Sequence, residues 1–369
     1  MGKRVLIGMS GGIDSTVAAI LLLEQGYELV GATFRTFDPP TSSLDNPSPK
    51  SCASEQSIID AQEMAQKLGF EHHILDFRDT FRQYVIANFV DEYAHGRTPN
   101  PCVMCNSHIK WGKLMQAAKQ YNCDYIATGH YVRTVRDGEN VFIKQGADNK
   151  KDQSYFLWRL SQEQLRRTLF PLGEMTKEEA RTLLKEVGLT EKAKDGESME
   201  ICFFDGDYRD YLRSAIPDAD SRIKPGYFVD SEGRKIGEHK GFPYYTIGQR
   251  KGLNIALGHP AYVLKINAAK NTVMLGEASQ LLTQYMIVEN PAWVDGIPAE
   301  GMSARIRHRS TPAPCRIERE LPDGKWLVRF DEPVSAVTPG QSAVFYCGDT
   351  VVGGAYISSQ RGINQWITA

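Results

Sequence analysis

The stretch KRVLIGMSGGIDST, Lys3 to Thr16, decides how the rest of the chain is read. Lys3 to Met9 has the apolar density of a strand buried on both faces, and Ser10 to Ser15 is a turn of small residues. Thr16 to Gln25 then carries Val17, Ile20, Leu21 and Leu23 on a broad helical face, which completes a βα unit. Such a turn can approach an anion closely, because small residues leave backbone N–H groups accessible and the helix N-terminus contributes the positive end of its dipole. The segment is neither a GxxxxGK[ST] phosphate loop nor a GxGxxG dinucleotide fingerprint. The plain alternative is a tight turn capped by Ser10 or Asp14, but SGGxDS directly after a first strand favours phosphate or pyrophosphate binding.

Outward from this unit the pattern alternates. Tyr27 to Thr33 reads as a second strand, Glu55 to Leu68 as a helix closed by Gly69, and His72 to Phe77 as a third strand. Helix is expected over Phe81 to Tyr93 and Ser107 to Tyr121, followed by a short strand, Asp124 to Thr128, that ends at Gly129 and His130. The alternation predicts an α/β fold with a doubly wound parallel sheet, whose ligands bind at the C-terminal strand ends. Two long connections, Asp38 to Ser51 and His95 to Asn106, stand out, and loops of this length are usually functional or mobile. Thr176 and Glu179 fit a capping box at the start of a helix that ends at Gly188. From Gly226 onward short β-rich runs recur between glycines and prolines, which predicts a small β-containing central domain and then a C-terminal β-barrel. The expected division is residues 1–206, 207–280 and 281–369.

Composition narrows the functional classes. A chain of 369 residues needs more than one hydrophobic core. Hydrophobic and charged shares of 41% and 24% are ordinary for a globular protein, and no apolar run is long enough to span a bilayer. The formal net charge of −2 excludes a uniformly basic nucleic-acid binder, so any RNA contact must come from local patches such as Arg305 to Arg309, read as alternating on one strand face, and Arg250 with Lys251. Seven cysteines, Cys52, Cys102, Cys105, Cys123, Cys202, Cys315 and Cys347, form an odd set without the density of a disulfide scaffold, which favours the cytoplasm. GRTPNPCVMCN, Gly96 to Asn106, carries two prolines that fix extended backbone before Cys102, so Cys102 and Cys105 are expected on a preset loop. Cys202 lies in ESMEICFF, Glu197 to Phe204, and a sulfur relay needs one thiol to carry and another to release. The bland reading of the C-x-x-C pair is half a zinc site, with no evident fourth ligand. Cys52, Cys123, Cys315 and Cys347 are read as ordinary small side chains.

SGGIDS resembles the pyrophosphatase loop of N-type ATP pyrophosphatases, which adenylate an oxygen. With KDQSYFL (Lys151 to Leu157), TIGQRKGL (Thr246 to Leu253) and FDEPVSAVTPGQSAVFY (Phe330 to Tyr346), the two cysteine segments look like the bacterial tRNA-specific 2-thiouridylase (MnmA) family, in its order and nearly end to end. The resemblance implies an ATP-dependent transferase that adenylates O2 of the wobble uridine in tRNAs for Lys, Glu and Gln, after which a persulfide sulfur displaces AMP. It implies ATP binding at Gly8, Met9, Ser10, Gly11, Gly12, Ile13, Asp14, Ser15, Phe34 and Gly129, with Asp14 on a pyrophosphate-bound Mg2+. It makes Cys202 the persulfide carrier and Cys105 the resolving thiol, with an alternating Cys105–Cys202 disulfide. Asn100, Pro101 and Cys102 match the target-base segment, and His130, Lys151, Asp152, Gln153, Arg307, His308 and Gln341 match tRNA-contacting positions. Cys102 stands where many members have Asp, and a thiol with a reference pKa of about 8.5 is a poor substitute for that carboxylate. A second route to the same product runs through a [4Fe–4S] cluster on Cys102, Cys105 and Cys202. The implied partners are tRNA and a persulfide donor protein or cysteine desulfurase, with no membrane and a monomeric enzyme. The rivals are an amidotransferase or ligase of the same superfamily, which needs no role for Cys105 or Cys202, and a tRNA-binding module without turnover.

Overall fold

A computed structural model describes residues 2–38, 54–196, 201–204, 206–216, 218–298, 300–360 and 362–367. Most of the Asp38 to Ser51 connection, Cys52 and Glu197 to Glu200 lie outside the described residues. Packing divides the chain into two compact units: residues 1–86, 101–206 and 349–351, and residues 87–100, 207–348 and 352–369.

In the first unit β1 (Arg4–Gly8), α1 (Ile13–Glu24), β2 (Glu28–Arg35), α2 (Glu55–Leu68) and β3 (Glu71–Asp76) follow the alternation read from the sequence. A helix then begins as α3 (Arg78–Phe81), widens into a π-helical turn over residues 82–86 and continues as α4 (Ala87–Ala94), which belongs to the second unit. The cysteine segment opens α5 (Pro101–Cys105), passes a second π-helical turn at residues 106–110 and leads into α6 (Gly112–Gln120) and β4 (Tyr125–Ala127). The hairpin β5 (Val132–Asp137) and β6 (Asn140–Gln145), then α7 (Gln162–Arg166), β7 (Thr168–Leu169) and α8 (Lys177–Glu186), complete this part.

The sheet order is β3-β2-β1-β4-β7, parallel throughout. Strand order reverses between β1 and β4, so Gly8 and the residues after Ala127 flank the topological switch point where open α/β sheets hold ligands. Val5, Leu6 and Ile7 are fully buried, which explains the unbroken apolar run of β1. Helix α1 is likewise apolar around most of its circumference, with Val17, Ala18 and Ala19 wholly inside, because the sheet and α8 both cover it.

The second unit adds α9 (Tyr208–Ala215) and α10 (Ala219–Arg222), then β8 (Gly226–Val229), β9 (Lys235–His239), β10 (Tyr262–Asn267) and β11 (Thr272–Gly276). These four strands form one sheet in the order β10-β11-β8-β9 over a core of Phe228, Val263, Val273 and Leu275. The last strands are β12 (Leu282–Trp293), β13 (Met302–Arg305), β14 (Ala313–Glu320), β15 (Trp326–Ser335), β16 (Ser342–Cys347) and β17 (Thr350–Ile357). They run β12-β15-β14-β13-β16-β17, and β12 also pairs with β17, so the six strands close into a barrel around Met286, Val288, Phe330 and Phe345. Alternation along β15 and β12 sends these side chains inward, and closure leaves no unpaired edge.

Two expectations are corrected. Cys102 and Cys105 lie on helix α5, not on an extended loop, because Pro101 occupies the first helical position, where its fixed φ fits and its missing N–H costs no bond. Arg307, His308 and Arg309 do not continue a strand. Strand β13 stops at Arg305, and residues 307–310 form a turn in which Ser310 N donates to Arg307 O at 3.0 Å and Arg307 N to Ser310 Oγ at 3.2 Å.

Candidate active site

The turn between β1 and α1 leaves the helix without a side-chain cap. Its N-cap residue is Gly12, in extended conformation, which has no side chain to bond the first-turn N–H groups. Ser10 and Asp14 therefore do not cap α1; instead the two serines brace the turn, Ser10 N donating to Ser15 Oγ at 3.2 Å and Ser15 Oγ to Gly12 O at 3.2 Å. An uncapped helix start beside a switch point presents backbone donors to an anion. Gly129, just after β4, is forced to be glycine: a Cβ there would lie 2.8 Å from Asp14 C and 2.9 Å from both Asp14 O and Ser15 N. Phe34 on β2 leans over the turn, with its ring 3.7 Å from where a Gly8 Cβ would be and 5.5 Å from the Phe77 ring.

Asp14 is oriented by two residues that the sequence did not single out. Tyr131 Oη donates to Asp14 Oδ1 at 2.7 Å, and Lys177 Nζ reaches the same oxygen at 2.6 Å. Lys177 is the first residue of α8, inside the Thr176–Glu179 capping box, and its backbone N donates to Asp148 Oδ2 at 3.0 Å. The capping box placed Lys177 at a helix start, but nothing local aimed it at Asp14. Tyr131 is tied in turn to Gln153, whose Oε1 accepts from Tyr131 N at 3.0 Å while Gln153 N donates to Tyr131 O at 3.2 Å. Asp152 is buried, and its carboxylate accepts from Gly146 N, Ser154 N and Ser154 Oγ at 3.0 to 3.2 Å. It shapes this loop and does not face outward, whereas Lys151 is half-exposed.

His130 is also buried. Its Nδ1 shares a hydrogen bond with Thr128 Oγ1 at 2.9 Å, its Nε2 lies 3.5 Å from Lys110 Nζ, and its ring packs 5.3 Å from that of Trp111. Burial, with the Lys110 ammonium as a lesser cause, holds its imidazole well below the usual range, so it is neutral near pH 7. A buried neutral imidazole is not arranged to meet an RNA phosphate.

Both cysteine segments lean on one helix. Phe203, adjacent to Cys202, is buried and packs edge-on at 5.7 Å against Phe81 of α3. Helix α5 packs on the π-helical turn at 82–86, and α3 on that at 106–110, with Tyr84 and His108 stacked at 4.4 Å and 8° between them. Cys102 is exposed, and Cys105 and Cys202 are half-exposed. KDQSYFL and the residues just after it support this face: Asn106 Nδ2 donates to Phe156 O at 3.2 Å, and Arg159 Nη1 to Met104 Sδ at 3.6 Å. By contrast burial pushes the Cys123 thiol up to about 11 and the Cys315 thiol up to about 12, and it raises that of Cys347. Those three are poor nucleophiles, as expected of structural thiols.

Asn100 is buried and Pro101 likewise. Gln341 Nε2 donates to Thr98 O at 3.0 Å and Pro99 O at 2.8 Å. Arg307 Nη2 donates to Ile247 O, Ala336 O and Thr338 Oγ1 at 2.7, 3.3 and 2.6 Å, while His308 beside it is half-exposed. Among the described residues no three His, Cys, Asp or Glu side chains are grouped to hold a metal ion. No helix among them is long and apolar enough to cross a membrane.

Two outcomes follow. Gly129→Ala is expected to destabilise the protein by about 1–3 kcal/mol through backbone overpacking, read by urea unfolding; an unchanged midpoint would contradict the close approach to α1. For His130 the unfolded imidazole takes up a proton near pH 6.5 while the folded one does not, so the unfolded state binds more protons and stability falls as pH is lowered from about 7 to about 5. His130→Gln should flatten that decline.

Three family models match successive stretches of the chain. A family model described as "tRNA methyl transferase HUP domain" matches residues 3–206, one described as "tRNA methyl transferase PRC-barrel domain" matches 210–277, and one described as "Aminomethyltransferase beta-barrel domain" matches 283–357. A protein of Phocaeicola vulgatus named tRNA-specific 2-thiouridylase MnmA 3 is 54% identical over 98% of this chain and 96% of its own length. Proteins named tRNA-specific 2-thiouridylase MnmA from Amoebophilus asiaticus and Carboxydothermus hydrogenoformans are each 46% identical, covering 96% and 97% of this chain and 95% and 98% of their own. With all three domain models in register and relatives of this similarity over nearly its whole length, the chain belongs to the MnmA family of tRNA-specific 2-thiouridylases.

Proposed function

We propose that this protein is an ATP-dependent tRNA sulfurtransferase that converts the wobble uridine of tRNAs for Lys, Glu and Gln to 2-thiouridine. The uncapped start of α1 between Gly8 and Ser15, flanked by Phe34 and Gly129, cradles the ATP phosphates. O2 of the extruded uridine attacks the α-phosphorus, pyrophosphate leaves, and the base carries AMP on O2. A base in an anticodon loop is already partly unstacked, so its extrusion costs at most a few kcal/mol. Asp14 has a half-exposed carboxylate beside that cradle and fits one position on a Mg2+ ion, which would neutralise phosphate charge when bound. Lys177 and Tyr131 hold the Asp14 carboxylate in place, and the Lys177 ammonium balances charge on the departing pyrophosphate.

Sulfur transfer follows on the other side of the base. The terminal sulfur of a Cys202 persulfide attacks C2 and AMP departs. The Cys105 thiolate then attacks Cys202 Sγ, the S–S bond to the transferred sulfur breaks, and a Cys105–Cys202 disulfide is left that an external dithiol reduces. The persulfide is loaded by a donor protein or cysteine desulfurase. Asn100, Pro101 and Cys102 border the target base, Cys102 taking no acid role. Lys151 and His308 meet tRNA phosphates, Gln153 holds Tyr131, and His130 and Asp152 shape the loops behind them. The enzyme works in the cytoplasm as a monomer, residues 1–206 carrying the chemistry and residues 207–280 and 281–369 gripping the anticodon arm.

The observation that carries this reading is the packing of the Cys105 and Cys202 segments on one helix, at Phe81 and the adjoining π-helical turn. A methyl transfer, as the names of two matched domains suggest, would need neither thiol nor a phosphate turn; an amidotransferase would need the turn alone. Purified protein with ATP, magnesium, a persulfide source and tRNA is expected to yield 2-thiouridine by nucleoside mass spectrometry. Cys202→Ser should abolish product and leave tRNA binding nearly intact, and Asp14→Ala should abolish pyrophosphate release. Full activity in either variant would overturn its assigned role.

A further inference from the structure

One ammonium and two carboxylates are enclosed together in the first unit, and none of the three has a part in the proposed chemistry. Lys192 Nζ lies 2.7 Å from Asp195 Oδ2 and 3.3 Å from Asp60 Oδ2, and the Lys192, Asp195 and Asp60 side chains are only 10%, 19% and 17% exposed. Charges taken this far out of water persist where each is closely paired, and removing one member leaves the others without compensation. The neighbouring pair Lys194 and Glu191, 65% and 87% exposed, carries no such requirement.

The trio joins two parts of the site. Asp60 lies on α2, directly behind the phosphate turn: Gly11, at φ +68°, approaches this helix so closely that a Cβ on it would collide with Ser57 O and lie 3.0 Å from Asp60 Cβ. Gln56 Nε2 donates to Asp60 Oδ1 at 2.7 Å, so the carboxylate is also oriented from its own helix. Lys192 and Asp195 belong to the turn after α8. Arg181 of α8 donates to Ala193 O and Asp195 O, the latter at 3.1 Å, and Leu189 and Ala193 are buried in the core around α1. Asp195 stands seven residues before Cys202, and Phe203, just after Cys202, packs on Phe81. The chain that carries the thiol is therefore held upstream at α2 and downstream at α3.

We propose that Lys192 is a positioning residue for the persulfide: through Asp60 and Asp195 it ties the chain leading to Cys202 to the helix against which the phosphate turn is built. The tie sets the sulfur-bearing side of the site relative to the adenylating side. This inference deepens the thiolation reading, on which its kinetic consequence rests, while its structural consequence stands alone.

The test uses the full chain with Lys192→Met, which keeps the apolar stem and removes the ammonium, and Lys192→Arg, which keeps the charge. Four quantities are measured: amide exchange over residues 189–196, alkylation of Cys202 by iodoacetamide followed by mass spectrometry, pyrophosphate release with ATP and tRNA, and single-turnover sulfur transfer from a preloaded Cys202 persulfide. In Lys192→Met, exchange is expected to rise at least about tenfold and Cys202 alkylation at least about threefold. Pyrophosphate release should stay within about twofold, because Asp60 keeps its place beside Gly11, while sulfur transfer falls on the order of tenfold or more through misplacement of the reacting groups. Lys192→Arg should restore exchange and transfer together. Unchanged exchange or unchanged alkylation overturns the tie, and so does a parallel fall of pyrophosphate release and sulfur transfer, which would make Lys192 a general support of the fold or a phosphate contact. Should Lys192→Met fail to fold, Asp195→Asn, which retains a hydrogen-bond acceptor, is read in the same way. A wild-type protein that forms no 2-thiouridine would sink the thiolation reading alone, and exchange with alkylation would still decide the tie.

Discussion

The first unit depends on how closely one backbone approaches another. Gly129 lies so near Asp14 and Ser15 that a single methyl group would collide with the main chain, and this contact aligns the end of β4 with the start of α1. The alignment leaves the helix terminus free of side-chain caps while Ser10 and Ser15 brace its turn. It also sends the residues after Gly129 past Asp14, so that Tyr131 can donate to its carboxylate and Gln153 can hold Tyr131 in turn. A helix start that lacks its own caps is ordinarily a defect. At a switch point between β1 and β4 it is a place where an anion completes the hydrogen bonding.

Burial sets two of the described cysteines apart from the rest. Cys123 and Cys315 are enclosed among apolar side chains, which disfavours the thiolate and leaves them inert. Cys102, Cys105 and Cys202 keep access to solvent, two of them on a helix that departs from regular geometry immediately afterwards. π-Helical turns are rare and recur at functional sites. Here one follows Cys105 and another follows Phe81, and the stacked rings of Tyr84 and His108 join the two.

Much of the fold was legible because its signals are local and periodic. The apolar run Val5 to Ile7 is a strand covered on both faces, and Thr176 with Glu179 forms the capping box its spacing announces. The cysteine segment was misread because proline speaks for extended backbone in the residue before it and for helix in the residues after it. Pro101 serves the second role, and no local feature distinguishes the two. Arg305 to Arg309 looked like a strand face because alternation is visible in sequence while the Arg307–Ser310 turn depends on a side-chain hydrogen bond. Lys177 was missed for a different reason: 163 residues separate it from Asp14, and their ion pair exists only once β1, β4 and α8 have assembled. His130 and Asp152 are buried, which nothing in their own segments announces, since a motif marks where a residue stands but not which way it faces.

Closure of the six-strand barrel has one more effect. Because β12 pairs with both β15 and β17, every strand in the cylinder is fixed by its neighbours and none by a connecting turn. The turns are thus relieved of any duty to hold the cylinder shut. Substitution can rewrite the connection between β14 and β15 while the stave-like frame beneath keeps its shape.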